Sequence, residues 1–127
     1  MPEFDTPLSR NEAILQNICG AENVLVLPKS RIEELLQAIY FKKIAESPED
    51  LEQMLEDAGI DLDEIEPESR IEKLLFAIYE NGEYTDEPQS RNEEILKAIL
   101  TGGDYDEEPQ SRIESLLIQW LEIVKEG

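Results

Sequence analysis

The chain has 127 residues, of which 11 are Lys or Arg and 31 are Asp or Glu, so its net charge is −20. It has no His and a single cysteine, Cys19, which excludes a histidine-based triad, a histidine zinc site and an intrachain disulfide. Its acidity opposes nucleic-acid binding, and its longest aliphatic run, residues 24–27, is far shorter than the ~20 residues of a membrane span.

One six-residue motif, Pro-x-Ser-Arg-(Ile/Asn)-Glu, which we call the phrase, occurs five times along the chain. The copies lie at residues 7–12, 28–33, 67–72, 88–93 and 109–114. Successive prolines are 21, 39, 21 and 21 residues apart, so a 21-residue unit recurs and one copy carries an insertion of 18 residues. The repeats predict a single helical domain, residues 1–127, with units near residues 7–27, 28–66, 67–87, 88–108 and 109–127.

Each copy of the phrase is typical of the beginning of a helix. In the capping box that Ser and Glu form at this spacing, the Ser hydroxyl accepts from the Glu N–H, and the Glu side chain reaches back to the Ser N–H. The proline keeps the residue before it extended, which makes the starting point sharp. The predicted caps are Ser9, Ser30, Ser69, Ser90 and Ser111.

Apolar residues follow every cap at helical spacing, so each helix has one apolar face. The second, third and fifth copies contain Ile32, Leu35, Leu36, Ile39; Ile71, Leu74, Leu75, Ile78; and Ile113, Leu116, Leu117, Trp120. The first and fourth copies open with asparagine, as Asn11, Ile14, Leu15, Ile18 and Asn92, Ile95, Leu96, Ile99. We expect these two asparagines to share a distinct environment.

The predicted helices end after about 11 residues at Gly20, at Asn81-Gly82 and at Gly102-Gly103, where glycine can take the left-handed conformation that ends a helix. The second helix is expected to continue to Ile44, and the last one is expected to be longer than the others. The insertion predicts a sixth helix over residues 47–59, because Ser47 and Pro48 favour a start and Gly59 an end. The connectors at residues 83–87 and 104–108 are predicted to be solvated loops, each with one tyrosine that packs on the core. Cys19 is also expected to pack in the core.

The charged residues of the phrase are the candidate partner-binding residues: Arg10, Arg31, Arg70, Arg91, Arg112, Glu12, Glu33, Glu72, Glu93 and Glu114. All five arginines of the chain occupy a first helical position, where the helix dipole disfavours a cation, so each needs a compensating contact. That contact is either a salt bridge to the adjoining repeat or a carboxylate or carbonyl of a partner, which the planar guanidinium suits. The helices likewise either stack on one another or dock separately on a partner.

Other kinds of site have little support. Residues 45–69 contain eleven acids and no base, which could imitate nucleic-acid phosphate but is more typical of a solvated face. The acids near Asp61 and Asp104 lack the pattern of a calcium loop. No nucleophile or glycine-rich phosphate loop accompanies them, so we predict no enzyme, no cofactor and no metal. The first residues also lack the features of a secretory signal, so export by the general pathway is not expected.

The repeated phrase resembles repeats of virion proteins of tailed bacteriophages that infect Gram-positive hosts, above all head-fibre-like and related accessory proteins. Residues 9–18 and 88–93 carry the resemblance most clearly, and it extends to all five units. It implies a non-enzymatic structural protein, present in many copies and attached to a capsid, neck or tail, with Ser9-Arg10 and the four equivalent pairs as attachment points. The chain differs from a typical fibre because it has no β-rich or collagen-like shaft.

We therefore expect an all-α protein, an array or small bundle of about six short capped helices. As a virion protein it would be assembled in the bacterial cytoplasm, with other virion proteins or copies of itself as partners and without contact to nucleic acid or membrane. The alternative is an acidic phage-encoded inhibitor of a host defence protein, acting as a nucleic-acid mimic or as a sponge for a small ligand.

Overall fold

The computed structural model describes residues 6–7, 9–24 and 27–126. These residues form six helices and no strand: α1 (Arg10–Ile18), α2 (Arg31–Ile44), α3 (Pro48–Asp57), α4 (Arg70–Glu80), α5 (Arg91–Thr101) and α6 (Arg112–Glu126). The all-α prediction is confirmed, and each predicted cap immediately precedes a helix. Helix α3 is the insertion, and the other five, which we call the ring helices, come one from each repeat.

The ends of the helices follow the local signals. In every repeat the Ser hydroxyl accepts a hydrogen bond of 3.1–3.2 Å from the N–H of the Glu three residues later. Asn81 caps the end of α4 and Gly102 caps the end of α5, both with left-handed backbone geometry, at φ of 57° and 75°. Helix α2 reaches Ile44 and α6 is the longest helix, as expected.

The ring helices form a closed ring. Each contacts two neighbours in the order α1, α2, α4, α5, α6, and α6 packs back against α1. Among the described helices, α3 packs on α2 alone. The repeats therefore stack on one another, and the predicted bundle is a closed one.

All ring helices point in the same direction. At one end, arginines of the first turns pair with glutamates in the first turns of neighbouring helices. At the other end, Lys42 and Lys43 near the end of α2 donate to the carbonyls of Tyr79 in α4 and Ile18 in α1. Because first turns meet at one end and last turns at the other, the neighbouring helices are parallel.

Parallel neighbours require long connectors. An 11-residue helix is ~16 Å long, and ten extended residues reach ~33 Å, so a ten-residue connector can return along the whole helix. Tyr84 and Tyr105, one in each of two connectors, pack against the core as predicted.

Cys19 is also buried, and its thiol donates to the Leu116 carbonyl at 3.5 Å. Burial raises the pKa of this thiol to about 11, which keeps it protonated and inert.

The interior of the ring consists of layers to which each ring helix contributes one side chain. The first layer is Asn11, Ile32, Ile71, Asn92 and Ile113, the second is Leu15, Leu36, Leu75, Leu96 and Leu117, and the third is Ile18, Ile39, Ile78, Ile99 and Trp120. The first two layers line a cavity of about 240 Å³ near the helix N-termini, and the third lines another of about 290 Å³ near the C-termini. The apolar stripes of the sequence thus face the axis of the ring.

The two asparagines occupy the mouth of the first cavity. Asn11 and Asn92 lie on α1 and α5, which are not neighbours in the ring, and both are half-buried. Neither side chain has a hydrogen-bond partner among the described residues. Both asparagines occupy the same layer as Ile32, Ile71 and Ile113, so the structure gives them no environment distinct from that of the other copies.

Replacing both asparagines with isoleucine should make the first layer uniform and more stable. The double variant Asn11→Ile, Asn92→Ile is expected to raise the free energy of unfolding by about 1–2 kcal/mol, because apolar side chains then cover the mouth of the cavity. Urea denaturation of the variant and the unchanged chain measures this difference. A loss of stability would show that the amides make contacts, such as bridging waters, that isoleucine removes.

Candidate functional site: the arginine–glutamate belt

The ten candidate residues come together in one belt around the N-terminal end of the ring. The pairs are Arg10–Glu33, Arg31–Glu72, Arg70–Glu93, Arg91–Glu114 and Arg112–Glu12. The N···O distance is 2.7 Å in Arg91–Glu114 and 3.0 Å in Arg112–Glu12. Because the last pair joins the fifth repeat to the first, the belt has no free end.

Most of the arginines also bind the backbone just before the neighbouring ring helix begins. In four repeats a terminal guanidinium nitrogen donates to the carbonyl of the residue that precedes the next proline: Leu27, Glu87, Glu108 and Thr6. The distance is 2.6 Å from Arg91 to Glu108 and 2.9 Å from Arg112 to Thr6. Since proline holds the residue before it extended, it presents this carbonyl to the neighbouring arginine. One planar guanidinium can make both contacts, which a single ammonium group could not do with the same geometry.

The repeat that carries the insertion departs from this pattern. Arg31 pairs with Glu72 like the others, but its terminal nitrogen donates to the side chain of Glu68 at 2.9 Å instead of to a backbone carbonyl. The chain enters α4 from the insertion, so its approach differs from that of a ten-residue connector. Arg91 makes an additional pair with Glu107 at 2.9 Å.

The glutamates of the belt accept hydrogen bonds both at the start of their own helix and from the arginine of the preceding ring helix. Their side chains are only 7–10% exposed, whereas those of the arginines are 29–45% exposed. Ser30 and Ser90 donate their hydroxyls to the carboxylates of Glu33 and Glu93, at 3.1 and 2.9 Å. Each buried carboxylate therefore has several donors.

One half of the predicted capping box is wrong in detail. The carboxylates of Glu72 and Glu114 accept from the N–H of the residue before the serine, Glu68 and Gln110, at 3.5 and 3.3 Å, instead of from the serine N–H. The reason is that each carboxylate also has to reach the arginine of the preceding ring helix. Its position satisfies both sets of donors.

These contacts shift the ionisation of the glutamates. In Glu72 and Glu114 the hydrogen bond from arginine is the largest influence, and it lowers the pKa below its ordinary value despite burial. In Glu33 and Glu93 burial is the largest influence and acts to raise the pKa. The hydrogen bonds from arginine and serine together outweigh burial, and the pKa is again lowered. The native state therefore favours these carboxylates in their charged form.

The belt corresponds to the first of the two alternatives that the sequence left open. The adjoining repeat supplies the compensating contact for each arginine, and the ten residues hold the ring together. Their use by a partner protein stays a prediction.

The acidic run at residues 45–69 was noted in the sequence, but the groove that part of it forms was not predicted. An open groove of about 680 Å³ lies between one face of α3 and the segment that follows it, residues 60–63. Its lining residues are Glu49, Glu52, Gln53, Leu55, Glu56, Ile60, Asp61, Leu62 and Asp63. The spacing of the three glutamates on α3, at i, i+3 and i+7, was the available signal that they share a helix face.

The described residues offer little for other kinds of site. Within residues 6–7, 9–24 and 27–126, no group of three or more Cys, Asp or Glu side chains converges in a way that could hold a metal ion. None of the helices in this part of the chain is long and apolar enough to cross a membrane.

Comparisons with known proteins add no relative. No family model matches the chain, and neither the curated proteins nor the solved structures contain a significant match.

The belt can be tested with two adjacent glutamates that differ only in environment. Glu93 is buried and paired with Arg70, whereas Glu94 is exposed. Changing Glu93 to Gln should lower the free energy of unfolding by about 1–2 kcal/mol, because a charge-assisted hydrogen bond is lost at a partly screened site. Glu94→Gln removes the same charge and should change stability by less than about 0.5 kcal/mol. Equal effects in urea denaturation would contradict the role of the belt.

Stability should pass through a maximum as the pH falls. From neutral pH downwards, protonation of exposed carboxylates first relieves the repulsion caused by the net charge of −20. The belt glutamates have lowered pKa values in the native state, so their contribution is present above the ordinary pKa of about 4.3 and is lost as the pH falls through it towards the lowered values. Urea midpoints measured from pH 8 to pH 3 at low salt should therefore rise and then fall. In the Glu93→Gln variant, the urea midpoint should fall less steeply at acidic pH.

Proposed function

We propose that the chain is a non-enzymatic structural or accessory protein of a tailed-phage particle, attached to its capsid, neck or tail. The resemblance of the five phrases to repeats of phage virion proteins supports this proposal. A second support is that the Arg and Glu residues of the phrase form the belt. The repeated part of the sequence therefore serves to assemble a scaffold. The partners are other virion proteins or further copies of the chain.

The closed belt also limits how such a protein attaches. Its arginines and their glutamates already bind one another, and the apolar stripes already face the axis of the ring. A partner is therefore met by the outer surface, which consists of the connectors, the outer helix faces and the insertion. This surface carries most of the excess negative charge.

The proposal predicts that the chain is a component of purified particles. Particles from a lysate that contains the chain are purified on a density gradient and analysed by quantitative mass spectrometry. The chain should copurify in a constant ratio to the major capsid protein. Its absence from the particles, with abundant chain in the same lysate, would contradict the proposal.

Two variants make this experiment specific. Arg70→Glu with Arg91→Glu places like charges against Glu93 and Glu114, opens the belt and should abolish incorporation. The control, Glu94→Gln with Glu122→Gln, changes two exposed residues and should be incorporated at the normal ratio.

The acidic insertion favours a second candidate, an inhibitor that mimics nucleic acid and occupies a basic host defence protein. Such an inhibitor would be absent from purified particles. It would bind a basic host protein with an affinity that falls steeply as the salt concentration rises. Particle analysis therefore separates the two candidates.

A further inference from the structure

We propose that the groove of the insertion is a docking site for a basic, amphipathic segment of a partner protein. Its two walls carry five carboxylates, Glu49, Glu52 and Glu56 on α3 and Asp61 and Asp63 on the following segment. Three apolar side chains lie with them, those of Leu55, Ile60 and Leu62. A segment with an apolar ridge between rows of Lys or Arg is complementary to this arrangement.

The negative charge of the groove is not neutralised within the molecule. Residues 45–69 contain no Lys or Arg, and among the described residues no cation forms a salt bridge with any of the five carboxylates. Glu52, Glu56, Asp61 and Asp63 are exposed. A cationic partner would thus meet carboxylates that are free to pair with it.

The apolar side of α3 is incompletely covered. No residue of α3 is buried, and Leu55, the apolar residue of α3 that lines the groove, is half-buried. By contrast, each described ring helix contains several buried residues. Helix α3 packs on α2 alone among these helices, and ring closure does not involve it. Leu55 and Leu62, which are both half-buried, therefore leave some apolar surface in the groove beside its acids.

The chemistry of the groove argues against other occupants. A second copy of the chain, whose net charge is also −20, would bring a mainly acidic surface against the five carboxylates of the groove, and nucleic acids and anionic membranes are repelled from it. A single metal ion needs converging ligands, and no such group of acids exists among the described residues. Five carboxylates with apolar side chains among them suit a partner with several separated positive charges. The groove would serve this purpose equally for a particle protein and for a host protein.

The test uses the full chain and a synthetic helical peptide with leucines on one face and lysines on the other. The control peptide has the same composition in an order that does not segregate leucine from lysine. Affinities are measured by isothermal titration calorimetry at physiological salt, and ¹H–¹⁵N NMR spectra locate the bound peptide. We expect the amphipathic peptide to shift resonances of residues 49–63 and to bind at least about tenfold more tightly than the control peptide.

Two double variants with the same change of charge separate the groove from the general acidity of the surface. Glu52→Gln with Glu56→Gln should weaken binding about five- to tenfold, whereas Glu94→Gln with Glu122→Gln should weaken it less than about twofold. Circular dichroism confirms that both variants stay helical. Because Leu62→Ser preserves every charge, the loss of affinity that we expect for this variant reports on the apolar side chains of the groove alone.

Equal losses in the two double variants, equal affinity for the two peptides, or resonance shifts spread over the whole acidic surface would overturn the proposal. Self-association that Glu52→Gln with Glu56→Gln abolishes would instead assign the groove to a second copy. Tight binding of Ca²⁺ alone at residues 49–63 would assign it to a metal ion. All of these outcomes are independent of whether the chain is found in particles.

Discussion

The whole ring depends on one interaction, the pairing of an arginine in the first turn of one helix with a buried glutamate in the first turn of the next. The two residues are two positions apart in each repeat, which places them about 200° apart around a helix axis, on opposite flanks. Every repeat therefore donates to one neighbour and accepts from the other. Such a head-to-tail contact produces an open filament or a closed ring, depending on the rotation between units. Here each unit turns by a fifth of a circle, and Arg112 reaches Glu12.

Much of this fold could be predicted because its signals are local. A capping serine and a proline two residues earlier define where each ring helix begins, so these starting points were predicted correctly. The ends follow a local signal less uniformly: Asn81 and Gly102 cap α4 and α5, whereas α2 ends at Ile44 without a glycine. The orientation of the helices was also present in the sequence, although less directly. Connectors of about ten residues are longer than antiparallel neighbours need, and their length matches a return along a parallel helix.

Closure after five units and the second acidic site could not be predicted in the same way. The rotation between units depends on how the side chains of three layers fill the axis, with Trp120 in place of an isoleucine and two asparagines at the mouth. That is a property of the whole ring and of no single repeat. The groove beside α3 likewise requires Ile60 and Leu62, which follow the helix and approach it only through the turn at Gly59. For the ten belt residues, the sequence identified the right side chains and left open whether their partner was internal.

A single chain solves an electrostatic problem that separate units would face. Every repeat has more acids than bases, so five free units would repel one another as they assembled. Covalent connectors replace that association with an intramolecular one, at an effective concentration that short linkers raise to about the millimolar range. The belt then needs to supply only the register of helices that are already held together. Linkage also permits the units to differ, because an insertion in one repeat appears once in the ring instead of five times. The acidic insertion that contains α3 is such a feature, and it gives a nearly symmetric scaffold one distinct side.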